Sequence, residues 1–267
     1  MKPTISIASY SFHGLLRQNA MSIFQYFETV RHRYGMATAD IWNGMLTGYE
    51  DEYLKLVKLL MDDQGLELVN LCCDGCHLWG ETPEDIAKTD AVAEDCLRAA
   101  EILGAKTVRI DVGIRSATAS DEQIESIARK YDEYCARAAR FGAKLGPENH
   151  WGASTNVLEL RKLFQAVKAD NFGLLLHLGN WASSEDTSVE AVLRNDVEFA
   201  PKAMHMHIMY EVCEDAPRRL PPLMEAGYAG SWSIESHKST NEYHNVAYQL
   251  AQVQRVIAPL EYGSGQK

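Results

Sequence analysis

The strongest constraint in the sequence is the regular interval between short apolar segments. These segments start about 30–40 residues apart, which is the length of one strand–helix repeat. Several are continuous apolar runs, as expected for parallel strands that are buried on both faces. The predicted strands are Thr4–Tyr10, Thr38–Trp42, Leu66–Leu71, Thr107–Val112, Lys144–Asn149, Gly173–Leu178, Ala203–Ile208 and Ser231–Glu235.

Helix signals fill the gaps between the predicted strands. Thr82 is a capping residue that precedes Pro83 at the first helical position, and acidic residues follow in the first turn. Ser120 and Gln123 form a capping-box pattern ahead of a long helix that is predicted to stop near Gly142. Strands and helices therefore alternate along the chain.

This alternation predicts an α/β fold, a single (β/α)₈ TIM barrel over residues 1–260, with a flexible tail at 261–267. A length of 267 residues suits one barrel, since such domains contain roughly 250 residues. An open, doubly wound parallel sheet is the alternative. That fold would be favoured by a Gly-x-Gly-x-x-Gly turn after the first strand, and the sequence has none there.

Charge and apolar content exclude several classes of function. The chain has 26 Lys and Arg against 37 Asp and Glu, a net charge of −11, which disfavours nucleic-acid binding. No apolar run reaches the roughly 18–20 residues of a membrane helix, and no secretory signal is apparent. The six cysteines do not suggest a disulfide framework. We therefore expect a cytoplasmic protein with a small-molecule substrate, either monomeric or homo-oligomeric.

Several side chains that can bind metal lie at consecutive strand ends. In barrels of this type the active site forms at the C-terminal ends of the strands. One buried imidazole alone is usually a hydrogen-bonded core residue, whereas four adjacent strand ends with such groups favour a shared site. A cation would satisfy several of these groups at once. The groups are Glu148 and His150 on strand five, His177 on strand six, His205 and His207 on strand seven, and Glu235 and His237 on strand eight.

Four segments at these strand ends carry a family resemblance, and they are Glu148–Gly152, Leu178–Asn180, His205–His207 and Glu225–Glu235. With them, the sequence resembles the sugar phosphate isomerase/epimerase members of the xylose isomerase-like TIM barrels. These members include ketose 3-epimerases, hydroxypyruvate isomerase and inosose dehydratase. The resemblance covers nearly the whole chain and does not single out one member.

The resemblance implies that the metal ligands are Glu148, His177, His207 and Glu235. His177 is a departure, because relatives usually have Asp at this position. A dication with two carboxylates and two neutral imidazoles has no net charge, and the nitrogen ligands favour transition metals over Mg²⁺. We expect one divalent transition metal, with Mn²⁺ first and Zn²⁺, Co²⁺, Fe²⁺ or Ni²⁺ as alternatives. If His177 instead marks lost metal binding, the chain is a metal-free carbohydrate-binding or partner subunit.

The resemblance also implies a reaction. Glu148 and Glu235 would act as general base and general acid on opposite sides of a keto-sugar or related polyol, through an enediolate. This predicts an isomerase or epimerase. A metal-dependent lyase or dehydratase that acts on an oxidised sugar or a 3-keto-glycoside is the alternative. Endonuclease IV shares the barrel, but it needs three zinc ions and a surface suited to DNA, which a charge of −11 disfavours.

Further residues near the strand ends are candidates for substrate binding, and each of them has a packing role as the alternative. Arg109 and Asp111 on strand four are expected to form an internal ion pair. The segment Cys72–His77 has the local spacing of a zinc site, but no second cysteine pair completes it. The substrate-binding candidates are His13, His77, His150, Trp151, Asn180, His205 and Lys238.

Overall fold

Eight parallel strands form the centre of the computed structural model, which describes residues 4–182 and 188–257. The predicted tail, residues 261–267, lies outside the described residues. Within the described ranges, no helix is both long and apolar enough to span a membrane. The strands are β1 Thr4–Ile7, β2 Thr38–Trp42, β3 Glu67–His77, β4 Thr107–Asp111, β5 Lys144–Gly146, β6 Leu174–His177, β7 Ala203–Met209 and β8 Ser231–Glu235.

The helices pack around the strands, and two of the predicted helix starts are confirmed. The Thr82 hydroxyl accepts a hydrogen bond from the amide of Asp85, and Ser120 and Gln123 form a complete capping box. The helices are α1 His13–Arg17, α2 Ile23–Glu28, α3 Asp51–Asp63, α4 Pro83–Leu103, α5 Asp121–Ala138, α6 Val157–Ala166, α7 Val189–Phe199, α8 Tyr210–Glu214, α9 Ala216–Glu225 and α10 Glu242–Ile257.

Two four-stranded parallel sheets make up the barrel, in the orders β1-β8-β7-β6 and β2-β3-β4-β5. Isolated bridges join the sheets along two lines. Ala8 pairs with Asp40 at the β1/β2 seam, and Glu148 pairs with Leu175 at the β5/β6 seam. The eight strands therefore form the (β/α)₈ TIM barrel that the sequence predicts.

Side chains complete the hydrogen bonding at both seams. The hydroxyl of Tyr26 donates to the carbonyl of Ile7 at 2.6 Å and accepts from the amide of Asp40 at 3.0 Å. The carboxamide of Asn149 donates to the carbonyl of His177 at 2.8 Å and accepts from the amide of the same residue at 2.7 Å. At each seam, side-chain hydrogen bonds thus supplement the isolated bridges where a regular strand ladder is missing.

Six strands differ from their predicted bounds, and three of them, β1, β3 and β5, differ by more than one residue at one end. β1 ends at Ile7 and not at the predicted Tyr10, because the chain turns into a 3-10 helix at Ser9. β5 ends at Gly146, because Pro147 has no amide hydrogen with which to continue the ladder.

β3 continues to His77, well beyond the predicted Leu66–Leu71. Its pairing register with β4 shifts between Cys73 and His77, which indicates a bulge. The cysteine-rich segment therefore belongs to a strand rather than to a loop at the rim.

Candidate metal centre and active site

The four predicted ligands meet at the C-terminal end of the barrel. One donor atom from each of Glu148, His177, His207 and Glu235 lies within 4.8 Å of the other three, and all four residues are buried. Nδ1 of His177 lies 2.8 Å from Oε1 of Glu148 and 3.8 Å from Oε2 of Glu235. Nδ1 of His207 lies 3.6 Å and 3.3 Å from the same two oxygens. Two nitrogens and two oxygens thus face a common point.

Asp40 sets the orientation of His207. Oδ2 of Asp40 accepts from Nε2 of His207 at 3.0 Å and from Nε2 of His205 at 2.8 Å. An ionised carboxylate only accepts, so Nε2 of neutral His207 carries the proton and Nδ1 has a lone pair. Nδ1 of His207 is buried without a hydrogen-bond partner among the described residues. This carboxylate–histidine pair is the arrangement that commonly supports a metal-bound imidazole.

Sequence reasoning missed Asp40, although the residue was placed correctly inside the second strand. The Asn70 amide donates to Oδ1 of Asp40 at 2.8 Å, and the Thr107 hydroxyl donates to Oδ1 of Asn70 at 2.8 Å. Burial alone would raise the pKa of Asp40, but the imidazoles of His205 and His207 bring it well below its usual value. The available signal was an acidic residue within an otherwise apolar strand, which requires a partner.

Arg109 supports Glu148 from the opposite side. Nε of Arg109 lies 3.1 Å from Oε2 of Glu148, and Nη1 lies 3.1 Å from Asp111 and 2.8 Å from Asp74. The expected pair with Asp111 is present and forms part of a larger ion network. Burial alone would raise the pKa of Glu148, but Arg109 and the imidazole of His177 hold it well below its usual value. Glu148 is therefore ionised.

The electrostatics of the centre favour a cation. Burial alone would lower the pKa of His207, but the carboxylates of Glu235 and Asp40 raise it well above its usual value. Such a shift requires a strongly negative local potential, which is also what attracts a divalent ion. The four residues thus fit a metal site in their donor types, their convergence and their charge.

A cavity of about 110 Å³ opens onto these carboxylates. The ring of Tyr10 meets the ring of Trp42 edge-on at 5.0 Å, and Nε1 of Trp42 donates to Asp74 at 2.7 Å. Tyr10 was not named as a site residue, although the sequence prediction placed it at the end of the first strand, and in the structure it lies in a 3-10 turn after β1. The lining residues are Ala8, Tyr10, Asp40, Trp42, Cys72, Asp74, Arg109, Glu148, His150, His207, Glu235 and His237.

Three of the predicted substrate-binding residues lie close to the centre. His150 lines the cavity, with Nδ1 at 3.3 Å from Oδ2 of Asp111. The Asn180 amide donates to the backbone carbonyls of Asn149 at 2.7 Å and His150 at 2.9 Å, so it braces the β5/β6 seam. His205 is buried behind Asp40. A substrate contact by any of the three stays a prediction.

The other four candidates lie farther out. His77 and Trp151 line a separate groove, with ring centroids 5.2 Å apart. His13 stacks on Tyr10 at 4.5 Å, and Nζ of Lys238 lies 3.3 Å from the ring centroid of Tyr210. None of these four is among the described residues that line the main cavity. Their role in substrate binding also stays a prediction.

Comparison with known families and curated proteins gives one match. The family model described as xylose isomerase-like TIM barrel matches residues 27–219, which is more than half of the chain. No curated protein matches the sequence.

Solved structures with low sequence identity share the fold. The IolI protein with a bound zinc atom has a TM-score of 0.73 at 14% identity, covering 96% of this chain and 98% of that chain. The 3-keto-D-glucoside 4-epimerase YcjR from E. coli has a TM-score of 0.69 at 14% identity, covering 96% and 99%. The probable 3-DHS dehydratase AsbF from Bacillus anthracis has a TM-score of 0.65 at 14% identity, covering 94% and 98%.

Proposed function

The chain belongs to the xylose isomerase-like TIM barrel family, and on that premise we propose that it is a divalent-metal-dependent isomerase or epimerase of a keto-sugar. The observation that supports this most strongly is the convergence of two carboxylates and two imidazoles within 4.8 Å, with Nδ1 of His207 left without a hydrogen-bond partner among the described residues. The structural neighbours include an epimerase and a dehydratase, which is consistent with this chemistry.

The proposed metal ligands are Glu148, His177, His207 and Glu235. When bound, a divalent ion supplies the positive charge that stabilises an enediolate beside the sugar carbonyl. Two nitrogen donors favour a transition metal over Mg²⁺, and Mn²⁺ is the first candidate, followed by Zn²⁺. The zinc bound to the IolI protein makes Zn²⁺ the second ion to test.

Glu148 and Glu235 are the proposed acid–base pair. Glu148 follows β5 and Glu235 is the last residue of β8, and both line the cavity. Arg109 keeps Glu148 ionised and so able to accept a proton from the carbon next to the carbonyl. Nε2 of His237 lies 3.0 Å from Oε2 of Glu235, and its side chain is 49% exposed. His237 therefore provides a route by which protons on Glu235 exchange with water.

The cavity suits an uncharged reacting group. Among the described residues that line it, Arg109 is the only arginine or lysine. Its guanidinium is already paired with Asp74, Asp111 and Glu148. A phosphate placed beside the carboxylates would find no unpaired arginine or lysine among the described lining residues, whereas the rings of Tyr10 and Trp42 suit the apolar face of a sugar. The proposed substrate is therefore an unphosphorylated keto-sugar.

Incubation with a panel of ketoses in D₂O tests the function. The enzyme is loaded with Mn²⁺ or Zn²⁺, and free and phosphorylated ketoses are compared by NMR and mass spectrometry. Deuterium at the carbon next to the carbonyl of an intact sugar supports isomerisation or epimerisation. No exchange into any ketose with the metal-loaded protein would overturn the proposal.

A dehydratase or lyase is the second candidate, because one structural neighbour is a probable dehydratase. The same carbon acid would be deprotonated, but the enediolate would then expel a β-leaving group. The same incubation separates the two functions, since elimination releases water or an aglycone. A panel that includes 3-keto-glycosides is therefore needed.

Metal content is the first supporting measurement. Elemental analysis of the wild type is expected to give close to one transition-metal ion per chain after loading, and His177→Ala is expected to lose it. His177→Asp is the matched control, because it keeps a ligand at this position. A wild type that binds no metal after reloading would contradict the proposed centre.

A further inference from the structure

Three cysteine sulfurs converge outside the proposed active site. Cys73 and Cys76 lie on β3, and Cys96 lies on α4. All three are fully buried, and their sulfur atoms lie within 4.8 Å of one another. Sγ of Cys76 lies 3.8 Å from Sγ of Cys96. The third thiol is distant in sequence, and for this reason the local cysteine spacing on β3 looked incomplete.

The backbone of β3 is shaped to bring two of these thiols together. In a regular strand, residues i and i+3 point to opposite faces, so Cys73 and Cys76 would diverge. The register shift between Cys73 and His77 interrupts this alternation. Gly75 lies within the shift at φ +84°, a conformation that favours glycine. The side chain of Asn43 holds the bulge by hydrogen bonds to both the amide and the carbonyl of Asp74.

Polar donors surround the sulfur of Cys96, although a neutral buried thiol needs little hydrogen bonding. Nδ2 of Asn43 lies 3.9 Å from Sγ of Cys96, and the hydroxyl of Tyr49 lies 3.7 Å from it. On the active-site side, the guanidinium of Arg109 donates to the carbonyl of Cys73 at 3.3 Å. Asn43 and Tyr49 would donate to a negatively charged Cys96 sulfur, and the positive charge of the nearby Arg109 would favour it. These groups are an observation separate from the convergence of the sulfurs.

We propose that Cys73, Cys76 and Cys96 bind one thiophilic d¹⁰ cation, with Cu⁺ favoured over Zn²⁺. Soft thiolate ligands select these ions, and each thiol releases its proton to water as its sulfur binds the metal. Structural zinc normally takes four ligands. In residues 4–182 and 188–257, no fourth cysteine, histidine or carboxylate joins the cluster, so a three-coordinate ion fits better.

Binding at this site would tie β3 to α4 behind one wall of the active-site cavity. Asp74 lies between the two strand cysteines, and its carboxylate contacts Arg109 and Trp42. A metal on the sulfurs would therefore hold this wall in place. The site does not depend on the proposed sugar chemistry, and the two can be tested separately.

Anaerobic titration of the reduced full-length protein with Cu⁺, and separately with Cd²⁺ in place of Zn²⁺, tests the site. Sulfur-to-metal charge-transfer absorption reports thiolate ligands and is silent for the carboxylate–imidazole centre. The band is expected to saturate at one ion per chain in the wild type and to persist in Glu235→Gln. Cys96→Ser is expected to abolish it. Cys135→Ser, at a buried cysteine of α5, is the matched control and is expected to retain it.

Two results would overturn the proposal. The first is a folded wild type with no band after titration and no copper or zinc after expression in supplemented medium. The second is a band of equal strength in Cys96→Ser and Cys135→Ser. Circular dichroism checks the fold of each variant, and Cys76→Ala replaces Cys96→Ser if that variant does not fold.

Discussion

The two seams of the barrel are held by different chemistry. At the β1/β2 seam, one hydroxyl from α2 bridges the carbonyl of Ile7 and the amide of Asp40. At the β5/β6 seam, the carboxamide of Asn149 makes a reciprocal pair of bonds with the backbone of His177. The two backbones of this second seam approach closely, since a Cβ atom on Gly146 would lie 1.7 Å from the carbonyl oxygen of Gly173.

The two seams differ in how directly they position the proposed metal ligands. The β5/β6 seam holds two proposed ligands directly, Glu148 through its bridge to Leu175 and His177 through Asn149. The β1/β2 seam holds only Asp40, which acts on the centre through His207. Damage at the β5/β6 seam should therefore affect chemistry, metal binding and stability together. At the β1/β2 seam, a substitution should change stability and metal binding independently of each other.

The largest effect is expected from Glu148→Gln at the β5/β6 seam. The substitution keeps the shape of the side chain but removes the carboxylate that accepts the proton of the substrate. General acid–base groups contribute roughly 10²–10⁴-fold to rate, so deuterium exchange into the ketose should fall by about that factor. Mass spectrometry of the recovered sugar measures the exchange. A variant that keeps the exchange rate of the wild type would exclude Glu148 as the base.

At the same seam, Asn149→Ala should cause the largest loss of stability, because the Asn149 side chain forms hydrogen bonds with the backbone of the neighbouring strand. It leaves the buried amide of His177 without its acceptor, at roughly 1–3 kcal/mol. It also removes one of two donors to the His177 carbonyl, which keeps its hydrogen bond from the Asn180 amide at 3.2 Å. We expect a loss of roughly 2–4 kcal/mol in the free energy of unfolding, measured with urea, and a lower metal content. Asn149→Asp is the control, since it restores the acceptor for the His177 amide but not the donor. Equal losses in both variants would contradict the reciprocal pairing.

Tyr26→Phe makes the corresponding change at the β1/β2 seam. It removes one hydroxyl and leaves the buried amide of Asp40 without that acceptor. The expected cost is about 1–3 kcal/mol in the free energy of unfolding. Metal content and deuterium exchange should stay close to wild type, because neither Asn149 nor a proposed ligand is touched. A parallel loss of metal would show that the two seams are coupled.

The strand ends could be predicted because their signal is local. The interval between apolar segments predicts the eight strands, and the bounds of β8 agree with Ser231–Glu235. The side chains at the ends of strands five to eight give the candidates, and the family resemblance selects Glu148, His177, His207 and Glu235 as the predicted ligands. The structure brings these four together. A repeating strand–helix unit places equivalent positions at one end of the barrel, so a linear pattern was sufficient to find the candidates.

The supporting residues could not be predicted because their partners are distant in sequence. Asp40 meets His207 across 167 positions, and nothing near Asp40 marks that contact. Cys96 joins the β3 cysteines only because a bulge turns both of them towards α4. Arg109 was expected to pair within its own strand, and the structure adds the contact with Glu148. Such contacts depend on the packing of the barrel rather than on local periodicity.

Asp40→Asn should have its main effect on metal affinity, and it gives the sharpest test of the β1/β2 seam. In the wild type, one carboxylate oxygen accepts from the imidazoles of His205 and His207, and the other accepts from Asn70. The amide group of an asparagine would face a donor in either orientation. With the amide nitrogen facing the imidazoles, relief of the clash would require both imidazoles to move their protons to Nδ1, and on His207 this proton blocks the proposed metal-binding lone pair.

The hydrogen-bond partner of a metal-bound histidine typically contributes 10–100-fold to metal affinity. We expect the metal affinity of Asp40→Asn to fall by roughly that factor. Competition against a chelator measures the affinity for Mn²⁺ and Zn²⁺, with Tyr26→Phe as the control on the same strand contact. Because Asp40 is neither a proposed metal ligand nor part of the proposed acid–base pair, exchange at saturating metal should recover most of its wild-type rate. An unchanged affinity in a folded variant would mean that His207 does not bind the metal through Nδ1. The role of the β1/β2 seam would then be limited to stability.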